Sequence, residues 1–387
     1  MKACILTLIS LLALLSSAPA IQIERWWPAA TETALNAAGS NRGELVNALA
    51  RVPAGQRDAM CFLIENMPPV DLVSMKADFL LAHVAQAHSD LASAPWSKQI
   101  PREIFLNDIL PYASLNERRD DSRAKLREVA APLVKDCTTP SEAAQVLNRS
   151  IFKKVNVRYS TKRKKAAQSA MESMEGGLAS CSGLSILLVE ACRSVGIPAR
   201  VVGTPMWTNM HGNHTWVEIW DGDWHFTGAA EPDAKGLDRG WFKGDASKAD
   251  DTKPEHRIYA SSFKKTGLAF PLVWDLSIQW VPAVNVTARY TAAAKPDEGK
   301  IKVLIRVVDK AGGKRIAAPV FLTNTDSGKI LTGISTDEAA DHNNLLIFSL
   351  LPGERYRLEV TGKDKTVRSE FTVEKTPEQI ITIHIGE

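Results

Sequence analysis

Cysteine is scarce in this sequence, with five residues in a chain of 387. So few thiols in so long a chain exclude a fold held mainly by disulfides, and folding must depend on buried apolar area. An excess of one charge is missing too, because 47 Lys and Arg balance 44 Asp and Glu to a formal net charge of +3. The one dense basic run, 162–165, has no aromatic residues between its charges that could stack on bases. We therefore expect no nucleic-acid partner.

Long apolar runs are also missing. The apolar stretch 5–15 follows the basic residue Lys2 and precedes the small residues 18–20, which fit a signal-peptidase site. We predict that residues 1–20 are a signal peptide, and that the mature protein is exported to the periplasm or the outside of the cell. No later segment reaches the ~20 apolar residues that a spanning helix needs, so no transmembrane segment is expected.

Four cysteines remain after the leader: Cys61, Cys137, Cys181 and Cys192. Cys61 and Cys137 could pair in an oxidising compartment. Cys181 and Cys192 cannot pair if they share a helix, because eleven residues at a rise of 1.5 Å set their Cα atoms ~16 Å apart. We therefore expect at least one free thiol between these two.

Composition divides the rest of the chain into three regions. Residues 21–144 have helical periodicity, with proline-containing breaks between Ala- and Leu-rich segments. Residues 145–281 combine a helix with short aromatic strands. Residues 282–387 contain short β-type runs separated by turn residues, which predicts a β-sandwich of about one hundred residues. The expected fold class is α+β, with an N-terminal all-α region and a C-terminal β-sandwich.

A helix starting near Cys181 has well-defined ends. Ser180 is a natural N-cap, Gly196 fits the left-handed position after the helix, and Pro198 prevents the helix from resuming. One continuous apolar stripe runs along it, which predicts a buried face; its members are Leu184, Leu187, Leu188, Ala191, Cys192 and Val195. Cys192 lies in the middle of this stripe and is interpreted as a small core residue.

Cys181 belongs to the first turn of the same helix. The unpaired backbone N–H groups and the helix dipole favour an anion there, so the sequence predicts a thiol whose pKa is lowered. Its small neighbours, such as Gly177 and Gly183, leave room for a substrate. The alternative interpretation is a buried cysteine at a helix start, and a partner base would decide between the two.

A hairpin downstream supplies a candidate base. His214–Trp220 alternates strictly, and Asp221-Gly222 is a two-residue turn signal before a second strand. A two-residue turn places His214 opposite Ala229 and puts Glu231 on the same face as a diagonal neighbour of His214. Glu231 could then accept the second ring proton and fix the tautomer of His214.

The same register places Glu218 opposite His225, and we interpret these two as a cross-strand pair. A metal site from His211, His214 and His225 is an alternative, but the spacing lacks a strong ligand signature. We therefore expect no metal and no cofactor. A thiol, an imidazole and a carboxylate in the order Cys181, His214, Glu231 are instead the nucleophile, base and orienting group of covalent acyl transfer.

These residues resemble the transglutaminase-like superfamily, which has a papain-like fold and carries Cys, His and Asp in that order. The matching motifs are the start of the helix, 181–184, its end with Gly-Ile-Pro-Ala-Arg at 196–200, and His214-x-Trp216-x-Glu218. The resemblance covers about residues 145–241. The C-terminal sandwich is similar to the transthyretin-like or Ig-like modules of secreted bacterial enzymes.

The resemblance implies that Cys181 is the nucleophile and His214 the general base and acid. The aspartate of the family usually falls four residues after the second-strand tryptophan, where this chain has Gly228. The two-residue turn puts Gly228 on the face opposite His214, so we assign the third role to Glu231, with Asp233 as its substitute. The Cys181 N–H would contribute to an oxyanion hole, and Tyr159 is a candidate second donor.

The sequence therefore predicts a thiol hydrolase or acyltransferase that acts on peptide or isopeptide amide bonds. Its partner would be a protein or peptide substrate, or a cell-envelope polymer. Gly228 supports a second hypothesis, a catalytically weak or inactive protein that binds a peptide or cell-wall strand.

Overall fold

The computed structural model describes residues 25–292, 299–362 and 365–386. The signal peptide predicted over residues 1–20 lies outside the described residues. None of the helices described is both long enough and apolar enough to cross a membrane.

Helices dominate the first part of the chain, and two short helices lie further along it. They are α1 (Ala29–Ala37), α2 (Arg42–Arg51), α3 (Arg57–Asn66), α4 (Pro69–Leu72), α5 (Ala77–Ala92), α6 (Arg102–Ile104), α7 (Arg123–Val134), α8 (Pro140–Lys154), α9 (Ala170–Gly176), α10 (Cys181–Arg193), α11 (Lys243–Ala246) and α12 (Thr287–Thr291). The helices α1 to α5 enclose an apolar core of their own, which includes Leu45, Leu63 and Leu80. Their apolar faces meet in this core, as amphipathic helices require.

The strands are β1 (Arg158–Tyr159), β2 (Leu178–Ala179), β3 (Ala199–Thr204), β4 (His214–Trp220), β5 (Trp224–Thr227), β6 (Tyr259–Ser261), β7 (Leu268–Ala269), β8 (Pro282–Asn285), β9 (Ile301–Val308), β10 (Pro319–Asn324), β11 (Ile330–Ile334), β12 (Leu346–Leu350), β13 (Arg355–Thr361), β14 (Thr366–Thr372) and β15 (Glu378–His384). A six-stranded antiparallel sheet has the order β5-β4-β3-β6-β8-β7. Because β8 belongs to this sheet, the sheet extends past the domain boundary predicted at residue 281.

The C-terminal region is a β-sandwich of two sheets. One has four strands in the order β11-β10-β13-β14, and the other has three in the order β12-β9-β15. Inward-facing side chains such as Val303, Val320 and Leu358 are fully buried between the sheets. The strands β10 and β13 alternate buried and exposed residues, which is the pattern that a sandwich requires.

The helix α10 packs against β3 and β4 of the six-stranded sheet and against α7, α8 and α9. All six residues of its predicted apolar stripe are buried. The Ser180 hydroxyl accepts a hydrogen bond from the Gly183 N–H at 3.1 Å, and Gly196 has φ +74°. The predicted caps are therefore confirmed, and so is the α+β fold class with a cysteine-bearing helix on an antiparallel sheet, an N-terminal helical region and a C-terminal sandwich.

The register predicted for the β4–β5 hairpin is wrong by one residue. Glu218 pairs with Phe226 and Ile219 with His225, so the loop contains three residues, 221–223. Gly222 has φ +79°, and the Asp221 N–H donates to the Asp223 carbonyl at 2.9 Å. Asp-Gly suits a three-residue loop with a left-handed glycine as well as a two-residue turn, so the dipeptide alone does not fix the register.

The cysteines of the described residues are free thiols. Cys61 packs in the core of the N-terminal helices, whereas Cys137 packs in the core around α10. The pairing considered for Cys61 and Cys137 is therefore not formed in this structure, and Cys181 and Cys192 share α10 as expected.

Candidate active site

Cys181 is the first residue of α10, where its side chain is half-buried. The backbone N–H groups of Ser182 and Thr215 lie close enough to its sulfur to lower the pKa of the thiol. Ser182 belongs to the first turn of the helix, where N–H groups have no partner within the helix. The helix start thus offers the sulfur the backbone donors that the sequence predicted.

His214 begins β4 and is 2% exposed. Its ring lies among four aromatic side chains, with ring centroids 4.7 Å away for Trp241, 5.0 Å for Phe242, 5.8 Å for Trp216 and 6.2 Å for Trp207. Trp216 stacks on the imidazole with an interplanar angle of 22°. This packing fixes the plane of the imidazole without hydrogen bonds.

The structure brings Cys181 and His214 together with a carboxylate that the sequence did not indicate. One ring nitrogen of His214, the Sγ of Cys181 and one carboxylate oxygen of Asp341 all lie within 4.8 Å of one another. Asp341 belongs to the connection between β11 and β12 of the sandwich. Its Oδ2 is 3.7 Å from the Nδ1 of His214, which is too long for a hydrogen bond. Neither ring nitrogen has a hydrogen-bond partner among the residues that the structure describes.

The cavity at these three side chains is small. Its wall includes Tyr159, Leu184, Ala229, Glu231 and Ala339, and its volume is about 10 Å³. A single water molecule needs roughly 10–15 Å³ of such space. The site therefore has no room for a peptide in this conformation.

The protonation states differ from those that the helix start predicted. Burial and then the negative charge of Asp341 raise the pKa of Cys181 to about 12, although the backbone N–H groups of Thr215 and Ser182 oppose the shift. Burial also lowers the pKa of His214, against the attraction of Asp341 and Asp245. The expectation of a lowered thiol pKa is thus wrong for this conformation, because desolvation outweighs the helix N-terminus. The thiol and the imidazole are both neutral near pH 7.

Glu231 lines the cavity but does not hydrogen-bond to His214, whose ring nitrogens are unpartnered. Its Oε2 accepts from the Trp241 indole at 2.8 Å. Its Oε1 accepts from the Asp341 backbone N–H at 3.3 Å and from the Asn344 side chain at 3.2 Å. The expected contact of Glu231 with the imidazole is therefore corrected, and the carboxylate nearest to the ring belongs to Asp341.

The side chain of Glu231 also occupies the space at Gly228. A Cβ atom at residue 228 would lie 2.9 Å from the Oε2 of Glu231 and 3.1 Å from its Cβ. The observed register, continued by one pair, puts Gly228 opposite Trp216, on the face of His214 and not on the opposite face as predicted. Asp233, the substitute considered for Glu231, instead accepts from the Lys235 N–H at 2.7 Å.

Burial and the neighbouring charge of Asp341 raise the pKa of Glu231 to about 7, although hydrogen bonds from Trp241, Asn344 and the Asp341 N–H oppose the shift. Near neutral pH this carboxyl group is therefore distributed between its protonated and ionised forms. Glu231 and Asp341 therefore both lie in the wall of the cavity that contains the thiol.

His211 and His225, the other histidines of the three-histidine hypothesis, each lie beside a different carboxylate. His211 Nε2 is 2.8 Å from Glu378 Oε1, and His225 Nδ1 is 2.7 Å from Asp238 Oδ2. Neither belongs to the group formed by Cys181, His214 and Asp341. The three-histidine site is therefore not assembled.

Glu218 and His225 do not form the predicted cross-strand pair, because Glu218 lies opposite Phe226 and His225 lies opposite Ile219. Glu218 accepts from Arg200, its directly opposite neighbour on β3, and from the Tyr290 hydroxyl. The cross-strand partner of Glu218 is therefore Arg200 on β3, and not His225 on β5 as predicted.

Tyr159, the candidate oxyanion donor, also lines the cavity. Its hydroxyl accepts a hydrogen bond from the His342 backbone N–H at 3.2 Å. Its role as a donor to a substrate stays a prediction.

A comparison with known protein families finds a match within this chain. Residues 127–246 match the Transglutaminase-like superfamily. This segment is therefore a transglutaminase-like core; it contains Cys181, His214 and Glu231, whereas Asp341 lies outside it. No curated protein matches the chain.

Among solved structures, one similar chain is a candidate cysteine protease from Cytophaga hutchinsonii, with 23% identity, a TM-score of 0.27, and coverage of 33% of this chain and 44% of that one. Another is the transglutaminase of red sea bream, with 9% identity, a TM-score of 0.33, and coverage of 73% of this chain and 66% of that one. The chain thus spans less than half of the length of the Cytophaga protein that it matches.

Proposed function

We propose that this chain is a thiol-dependent hydrolase or acyltransferase that acts on peptide or isopeptide amide bonds through a thioester on Cys181. The observation that carries the proposal is the approach of the Cys181 sulfur and a His214 ring nitrogen to within 4.8 Å, at the start of a helix in a transglutaminase-like core. A half-buried thiol beside a buried imidazole in a cavity is typical of catalytic sites.

The chemistry would proceed in two steps. His214 accepts the thiol proton as the sulfur attacks the amide carbonyl carbon, and the C=O electron pair moves onto oxygen. Collapse of this oxyanion breaks the C–N bond, and the imidazolium donates its proton to the leaving nitrogen. Water or an amine then attacks the thioester, with His214 again as base, and the thiol of Cys181 is restored.

The oxyanion would lie near the N-terminus of α10. The backbone N–H groups of Ser182 and Thr215 stabilise negative charge on the sulfur, and the positive end of the helix dipole favours negative charge there. An acyl group on the sulfur needs far more space than the present 10 Å³, so turnover requires a more open conformation.

A substitution series tests this function. Cys181→Ala removes the nucleophile, whereas Cys192→Ala removes a fully buried thiol from the same helix and is the matched control. Release of ammonia or amine from a fluorogenic peptide-amide library should be lost in C181A and retained in C192A. Adding cadaverine distinguishes transfer, which incorporates the amine, from hydrolysis. Equal turnover by C181A and the unsubstituted protein would remove the thioester mechanism.

A non-catalytic binding function is the second candidate, and two observations favour it. Gly228 supplies no carboxylate, and the pKa of Cys181 is raised to about 12. A protein of this kind would bind peptides or cell-wall strands without a covalent intermediate. If mass spectrometry detects no acyl adduct on Cys181 during incubation with any peptide amide that binds, this candidate replaces the enzymatic one.

As part of the same proposal, the protein acts outside the cytoplasm on protein, peptide or cell-envelope polymer substrates. The support is the leader-like composition of residues 1–20. N-terminal sequencing of the protein from cell fractions tests this. A chain that begins at Met1 and remains in the cytoplasmic fraction would contradict export.

A further inference from the structure

Residues 335–345 connect β11 to β12, and we call them the Asp341 loop. The loop leaves the sandwich and enters the cavity of the candidate active site, where Ala339 and Asp341 form part of the wall. Asp341 is 5% exposed, although its neighbour His342 is exposed. A charged side chain from a β-sandwich connection is thus buried against the nucleophile of another part of the fold.

Three hydrogen bonds join the Asp341 loop to the transglutaminase-like core. Glu231 accepts two of them, from the Asp341 N–H at 3.3 Å and from the Asn344 side chain at 3.2 Å. The Tyr159 hydroxyl accepts the third, from the His342 N–H at 3.2 Å. The core therefore accepts hydrogen bonds from the backbone N–H groups of Asp341 and of the next residue, His342, which flank the buried carboxylate.

The sandwich itself holds the loop in shape. The guanidinium of Arg315 donates to the carbonyl oxygens of residues 340, 341, 342 and 344, at distances from 2.7 to 3.3 Å. Four carbonyls held by one cation give the loop a fixed conformation. The loop can therefore enter or leave the cavity as a preformed unit.

The position of Asp341 differs from that of an orienting carboxylate. In a set of nucleophile, imidazole and acid, the ring separates the two outer groups, and hydrogen bonds at both ends place them roughly 7 Å apart. Here a carboxylate oxygen of Asp341 lies within 4.8 Å of the Cys181 sulfur. Asp341 is therefore on the side of the ring that the thiol uses, in the space that an acyl group must enter.

We propose that the Asp341 loop is an autoinhibitory plug, which keeps the site closed until the loop leaves the cavity. The proposal rests on the proposed function of Cys181 and concerns the regulation of that site. The charge of Asp341 and the burial by the loop both disfavour the thiolate form of Cys181. The carboxylate repels the negative sulfur, and the loop excludes the water that would solvate it. Departure of the loop would remove both effects and would free the space for a substrate.

Two substitutions test the plug in the full-length protein. Asp341→Ala removes the inserted carboxylate, and Glu231→Gln weakens the acceptor that holds the loop. The matched control is Asp337→Ala, because Asp337 is an exposed aspartate of the same loop whose side chain accepts from the Ala339 N–H at 2.9 Å. The readout is the rate of Cys181 alkylation by iodoacetamide at pH 7.5, assigned by peptide mapping.

If the thiol pKa falls from about 12 towards the ordinary value of ~8.5, the thiolate fraction at this pH rises on the order of 10³-fold. We expect at least a tenfold faster reaction in D341A, a smaller increase in E231Q, and no change in D337A. Thermal unfolding of each variant verifies that it is folded. If D341A does not fold, replacement of residues 337–343 by two glycines takes its place.

The outcomes separate the plug from the proposed function. Faster alkylation without amide turnover in D341A supports the plug and removes the enzymatic function. Unchanged alkylation in D341A overturns the plug, whether or not the protein hydrolyses amides. Amide turnover that is lower in D341A than in the unsubstituted protein also overturns it, because Asp341 would then assist catalysis.

Discussion

Replacing Glu218 tests the buried charges behind the candidate active site. Glu218 is fully buried on β4, and its Oε2 accepts from the Nε and a terminal nitrogen of Arg200 at 2.8 and 2.6 Å. Its Oε1 accepts from the Tyr290 hydroxyl at 2.8 Å, and that hydroxyl accepts from the Trp216 indole at 2.8 Å. The carboxylate thus connects Arg200 to the tryptophan that stacks on His214.

Glu218→Ala should lower the free energy of unfolding by about 3–5 kcal/mol. The substitution leaves the Arg200 cation buried without its partner, and breaking a buried pair from one side has a cost of this size. The guanidinium keeps its position over Trp224, 3.7 Å from the ring centroid, so it cannot easily turn to solvent. The double substitution Arg200→Met with Glu218→Leu should recover most of the loss, because it removes both charges.

The matched control is Glu359→Ala in the sandwich. Glu359 also pairs with an arginine directly opposite on an antiparallel strand, Arg368, at 2.6 Å. These side chains are 35% and 65% exposed, so the loss should be at most about 1 kcal/mol. Urea unfolding followed by tryptophan fluorescence measures both. Losses of similar size at the two sites, or a loss below ~1 kcal/mol in E218A, would refute the argument from burial.

Three further predictions concern the helix end, Glu231 and the Asp341 loop. Gly196→Ala should destabilise the protein by ~1–3 kcal/mol in thermal unfolding, because φ is +74° and a Cβ would lie 3.0 Å from the Asp90 carbonyl oxygen, whereas Gly43→Ala, inside α2 with nothing within 4 Å, should be neutral or stabilising. The pKa of Glu231 is raised from 4.5 to about 7, so the stability that its protonated form contributes is complete below pH 4.5 and lost as pH rises through 7. Relative to the unsubstituted protein, the free energy of unfolding of E231Q should therefore increase by roughly 2–3 kcal/mol between pH 5 and pH 8 in urea unfolding, at ~1.4 kcal/mol per pH unit. A difference between the two proteins that stays constant over this pH range would contradict the prediction. Arg315→Ala should speed Cys181 alkylation by releasing the carbonyls of the loop, whereas the exposed Arg355→Ala should not, and equal rates in the two variants would contradict the bracing role of Arg315.

Local chemistry explains why the cysteine-bearing helix was predictable. The cap at Ser180, the left-handed Gly196 and the apolar stripe are each determined by residues close in sequence. The meeting of Cys181 and His214 depends on the order of helix and strand, which the family motifs carry. These parts of the site could therefore be predicted before any coordinates.

The predictions that were wrong or missing concern the hairpin register, the carboxylate near His214 and the pKa of Cys181. Each depends on information that no short segment of sequence contains. A single additional loop residue at Asp223 moves every pair of the β4–β5 hairpin, so the face assigned to Gly228 was inverted. Asp341 lies in a polar turn of the sandwich, and only the packing of the sandwich on the core brings it to the thiol. The pKa of Cys181 likewise depends on how completely that packing removes water, which sequence alone does not specify.

The indole of Trp241 provides an optical gauge of this packing. It donates to Glu231 at 2.8 Å and lies with its ring centroid 4.7 Å from that of His214, so it touches both the group that binds the loop and the imidazole. Movement of the sandwich away from the core would change the polarity around this chromophore. Because the chain has ten tryptophans, the difference in emission between the unsubstituted protein and its Trp241→Phe variant would isolate this signal and follow the docking of the two parts.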